Sequence, residues 1–68
     1  MQNFEKTLLE DLEEIFNKKP RLEKDFIKVN LPKLNRPELF RLIRIVTNSN
    51  LGLEIKRSGT GLVIIINI

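Results

Sequence analysis

A chain of 68 residues forms one domain at most, and at this size roughly 60% of the unfolded surface can be buried, so its core is small. It contains no cysteine and no histidine, which excludes disulfides, thiolate or imidazole metal sites, and cysteine or histidine catalysis. The formal net charge of +3 is too small to define a partner, so the chain must be read through its pattern.

The first expected element is a helix from about Phe4 to Lys18. Phe4, Leu8, Leu9, Leu12, Ile15 and Phe16 recur at helical spacing and make one apolar stripe. Asn3 is placed to cap the start, acidic residues dominate the early turns, and Pro20 marks the stop. Residues 20–25 are polar and read as a linker or short turn. Ile27, Val29 and Leu31 then alternate with Lys28 and Asn30, the period of a half-buried strand, which Pro32 ends.

A second helix is expected from about Arg36 to Ser49. Asn35 and Glu38 form a capping-box pattern, with Pro37 in the first turn. Leu39, Leu42, Ile43 and Val46 follow i, i+3, i+4, i+7 spacing and are read as its buried stripe. Arg41 and Arg44 fall together on another, exposed face. The tail reads as a hairpin. Leu53 and Ile55 alternate with Glu54 and Lys56, Ser58-Gly59-Thr60-Gly61 turns the chain, and Leu62 to Ile68 returns it. The return strand is apolar on both faces from Leu62 to Ile66, which places it in the middle of the sheet. The expected fold class is therefore α+β, in the order helix, strand, helix, strand, strand. Two helices pack on one face of a small three-stranded antiparallel-type sheet.

Charge is distributed unevenly along these elements. Residues 1–16 sum to −4, residues 17–44 to +6, and the remainder to +1. A basic middle of this kind can form a positive face beside an acidic helix. The longest apolar run, Leu62 to Ile66, is far shorter than the ~20 residues of a membrane helix, and no signal-peptide pattern opens the chain. The expectation is a soluble, intracellular domain, nuclear or cytoplasmic, with no membrane contact, either monomeric or part of a larger chain.

Several pieces, in order, resemble the R-x-x-x-H (R-three-H) family of single-stranded nucleic-acid-binding domains. They are Leu31-Pro32-Lys33-Leu34-Asn35 leading into the second helix, Gly52-Leu53-Glu54 opening a strand, Thr60-Gly61 ending the turn, and Ile64-Ile65-Ile66-Asn67 closing. The order of elements also agrees with that family's fold, over roughly residues 5–68. The naming pair departs from it. Counting back from Gly52 puts the family's Arg on Arg41 and its His on Ile45. Counting forward from Leu31-Pro32 puts them on Leu39 and Ile43. An intermediate register sets Phe40 and Arg44 at the two positions. No register restores both residues, so Arg41 and Arg44 alone are carried over.

What the resemblance implies is a non-catalytic domain that contacts single-stranded RNA or DNA weakly. The candidate contacts are Arg41 and Arg44, extended by Lys56 and Arg57 on the hairpin and by Lys28 and Lys33 on the strand and its exit. Phe26 and Phe40 are the candidate stacking platforms, although packing is the commoner use of such residues. The rival reading is a protein-interaction module derived from the same fold, meeting a partner through the acids of the first helix, through Ile45 or Ile68, or through an open sheet edge. Catalysis is disfavoured and no cofactor is expected. Glu10, Asp11 and Glu14 read as a solvated acidic face, because no second segment supplies converging carboxylates. Ser58 to Gly61 lacks the Lys-Ser/Thr and the following helix of a P-loop.

Overall fold

The computed structural model describes residues 3–68, with side chains from Glu5 onward. The expected cap by Asn3 and the place of Phe4 in the first stripe lie outside the described side chains.

Helix α1 spans Asn3–Phe16, strand β1 Arg21–Leu22, strand β2 Phe26–Leu31, helix α2 Arg36–Asn48, strand β3 Gly52–Ser58 and strand β4 Gly61–Asn67. The class is α+β with two helices, and the sheet is antiparallel throughout. It has four strands, not the expected three, in the order β1-β2-β4-β3. The additional strand lies in the stretch read as a linker, where Arg21 pairs with Lys28 and Leu22 with Ile27. The element order therefore gains a short hairpin before α2. Strand β4 is central, as its unbroken apolar run implied.

Each element ends for a local reason. α1 stops four residues before Pro20, because Asn17 turns left-handed (φ 53°), a conformation Asn tolerates better than most residues. At the start of α2, Asn35 Oδ1 accepts from the Glu38 N–H at 3.0 Å, and Glu38 Oε1 accepts from the Asn35 N–H at 3.1 Å. The capping box is complete. At the far end Asn50 is left-handed (φ 55°), the Leu51 N–H reaches the Val46 carbonyl and the Asn50 N–H the Thr47 carbonyl. This is a Schellman termination built on Asn instead of Gly. The β3–β4 turn is the two residues Gly59-Thr60, with Gly59 at φ +61°. Glycine first with no positive φ at Thr60 matches the type II′ hairpin turn.

One hydrophobic core joins the layers. Leu8, Leu12, Ile15 and Phe16 of α1 and Leu42 and Val46 of α2 pack with Ile27, Val29 and Leu31 of β2 and Ile64 and Ile66 of β4. The strand residues in that cluster are every second one, so both helices lie on the same face of the sheet. Two expectations for α2 are corrected here. Ile43, read as buried, is 42% exposed. Ile45, read as an exposed aliphatic, is half-buried against the core beside α1. The buried arc of α2 is thus shifted towards α1, and its other flank is left uncovered.

Candidate nucleic-acid interface

The register fixes what the second face of the sheet presents. Ile27, Val29 and Leu31 pair with Ile66, Ile64 and Leu62 on the helix side. The alternate residues must therefore point the other way. One row across that face reads Arg21, Lys28, Ile65, Glu54. The next reads Asn30, Val63, Lys56, and the row on the opposite side reads Phe26, Asn67, Gly52. None of these residues belongs to the core, and among the described residues no helix or loop packs over them.

The result is an open surface with half-buried Val63 and Ile65 at its centre and half-buried Phe26 at one end. Three cations border it, Arg21, Lys28 and Lys56, against one anion, Glu54. Lys28 and Lys56 sit two strands and two residues apart, roughly 12 Å between their Cα atoms from standard strand geometry. Arg21 also lies 3.4 Å from Glu23, but both partners are exposed, and such pairs hold side chains only loosely.

At the end of the sheet, just past Val63 and Lys56, an open groove of about 520 Å³ separates the β2–α2 loop from the β3–β4 hairpin. Lys33 stands on one wall and Arg57 on the other, with Gly59 and Thr60 beside it. At the floor of the groove the two backbones approach closely at Gly61, where a Cβ would come within 2.5 Å of the Leu31 carbonyl oxygen.

The six cations expected from the sequence thus fall into three pairs. Lys28 and Lys56 share the uncovered sheet face, and Lys33 and Arg57 flank the groove at the sheet's end, with Arg57 directed to the helix side like its partner Leu62. Arg41 and Arg44 are exposed on α2, on the side turned away from the sheet, and so face opposite to Lys28 and Lys56. Of the candidate platforms, Phe26 is half-buried on the open face, and Phe40 is 63% exposed on α2, among the helices. Ile45, the position matched to the family's His in one register, is turned into the helix interface. The acids of α1 occupy the helix layer, with Glu10, Glu13 and Glu14 exposed there, so they lie on the far side of the sheet from Lys28 and Lys56.

Sequence reasoning missed Arg21, Val63 and Ile65 as members of a common surface. A signal was present. With both helices expected on one face of the sheet, a central strand that is apolar on both faces must expose one of them. No helix among the described residues is long and apolar enough to cross a membrane. No family model matches the chain, and comparison with curated proteins and with solved structures finds no match either.

Proposed function

We propose that this chain is a non-catalytic module that contacts single-stranded RNA or DNA, with the uncovered sheet face as its principal surface. The observation that carries the reading is the juxtaposition of an apolar strip, Val63 and Ile65 with Phe26 at its end, and a border of Lys28, Lys56 and Arg21. A single strand offers apolar base faces and regularly spaced phosphates. An open surface with this mixture meets both without reading sequence. Lys33 and Arg57 flank the groove at the end of the sheet, but Arg57, paired with Leu62, points to the helix side, so they form a separate cationic pair. Segregation of the α1 acids to the other layer keeps repulsion away from the strand.

The resemblance to the R-three-H family adds independent support for the ligand class. It points to Arg41 and Arg44, whereas the surface chemistry points to the lysines of the sheet. With a single aromatic on the open face, stacking is limited, and binding is weak and strongly salt-dependent.

The test is titration of a labelled twelve-nucleotide single strand at low and moderate salt. Wild type should bind at low salt. Lys28→Ala/Lys56→Ala should weaken binding and reduce the slope of log K against log salt by about 1.4, two contacts at about 0.7 each. Arg41→Ala/Arg44→Ala should leave the slope nearly unchanged. No binding by wild type at low salt, or indifference to the double lysine change, rules the sheet face out. Loss confined to the arginine variant moves the contact to α2.

A protein-interaction role is favoured by one separate observation, the exposure of Phe40, Ile43 and Ile55.

A further inference from the structure

We infer that this chain forms a closed two-fold dimer by antiparallel pairing of strand β3 with the same strand of a second copy, centred on Ile55. β3 is a seven-residue edge strand with only Leu53 partly buried. Its outer backbone groups are free of any partner within the sheet. A two-residue hairpin closes on a hydrogen-bonded pair, Ser58 with Gly61. Alternation then commits the backbone groups of Lys56, Glu54 and Gly52 to β4 and directs those of Leu53, Ile55 and Arg57 off the sheet. Such a row is a template for a further strand.

The sequence of β3 selects the occupant and the register. With Ile55 opposite Ile55 of the second copy, all seven residues pair, Glu54 faces Lys56 at both symmetric positions, and Leu53 lies against the stem of Arg57. Centring on Glu54, Lys56 or Arg57 would set like charges opposite each other, which destabilises a cross-strand pair. Centring on Leu53 shortens the overlap. The strand is therefore complementary to itself about one residue, as an isologous contact requires. That residue is also an uncovered apolar one. Ile55 is 41% exposed on the helix side of β3, and α2 leaves Ile43 exposed in the same layer.

The opposite edge is closed to the same reaction. β1 is only two residues long. Beyond it, the Lys18 ammonium donates to the Asn30 carbonyl on β2. Pairing through β3 thus ends at two copies instead of propagating.

Sedimentation equilibrium without nucleic acid, from about 10 µM to about 1 mM chain, a range bracketing weak association, tests the proposal separately from the strand-binding reading. Wild type should shift from one chain mass towards two and no further. Lys56→Glu should raise the dimer dissociation constant about tenfold, since opposed like charges replace two favourable pairs. Glu54→Lys/Lys56→Glu should restore wild-type association. A single-chain mass throughout, growth beyond two chains, or failure of the double exchange to recover association in a folded variant overturns the proposal. Amide exchange in wild type is the second measurement. Exchange at Leu53, Ile55 and Arg57 should slow as concentration rises while Glu54 and Lys56 change little, and no selective slowing overturns the proposal even if a variant fails to fold.

Discussion

Two glycines of the hairpin are required for different reasons, and substitution separates them. Gly59 has a φ of +61° with open space where a Cβ would be, so its constraint is conformational. Asn is among the residues that occupy such turn positions, and Gly59→Asn should cost less than about 1 kcal/mol, less than alanine at the same place. Gly61 is constrained by contact, because a Cβ there meets the Leu31 carbonyl oxygen at 2.5 Å, and neither Asn nor Ala relieves that. Gly61→Ala and Gly61→Asn should each cost about 1–3 kcal/mol as the two backbones separate. Urea denaturation monitored by circular dichroism distinguishes the cases. Equal losses for Asn at both positions would contradict the account. The Asn35–Glu38 capping box was visible in the sequence because its partners are three residues apart. The reason for Gly61 was not, because its neighbour is Leu31, thirty positions away in the chain.

At the level of elements, periodicity located both helices, the strand after the linker and the hairpin, yet failed where coverage by a neighbour decides the outcome. In α2 the i, i+3, i+4, i+7 pattern treats Leu42 and Ile43 alike. They differ by about 100° around the helix, and the packing of α1 beside Ile45 draws the buried arc to one side. Leu42 is fully buried and Ile43 42% exposed. Leu42→Ala should therefore cost about 2–5 kcal/mol, enough to unfold much of so small a domain. Ile43→Ala should stay within about 1 kcal/mol of wild type. Thermal denaturation of both variants checks this, and similar losses would mean that Ile43 is covered in solution. β1 escaped detection for a related reason. Two exposed residues carry no period, and Arg21 and Leu22 are extended because the outer edge of β2 offers a ladder to join, with Glu23 N–H closing on the Phe26 carbonyl. The halt of α1 at Asn17, ahead of Pro20, depends on a left-handed residue, and a single Asn announces that only weakly.

The whole molecule is a two-layer structure with its helices on one side, and both proposals follow from what that arrangement leaves uncovered. β4 was legible as the central strand, but its second apolar face has no helix to meet, so Val63 and Ile65 remain half-buried among cations. Because the chain orders in one sheet, pairing through β3 would extend the same open face across eight strands, with each Glu54 set opposite a Lys56 from the other copy. Both surfaces could be used at once, since the dimer forms at the edge and a nucleic-acid strand would lie on the face. The core is small and has no disulfide to reinforce it, so association should contribute visibly to stability. Anything that binds the folded chain and not the unfolded one raises the unfolding temperature by mass action. With about 0.7 kcal/mol of unfolding enthalpy per residue over two chains, the midpoint should rise about 5 °C for each tenfold increase in concentration where the dimer predominates. Scanning calorimetry across two decades of concentration measures this directly. Lys56→Glu should flatten the dependence over the same range, because the folded monomer then carries most of the population. A wild-type midpoint independent of concentration would leave β3 as a bare edge, protected from further pairing by its charges alone.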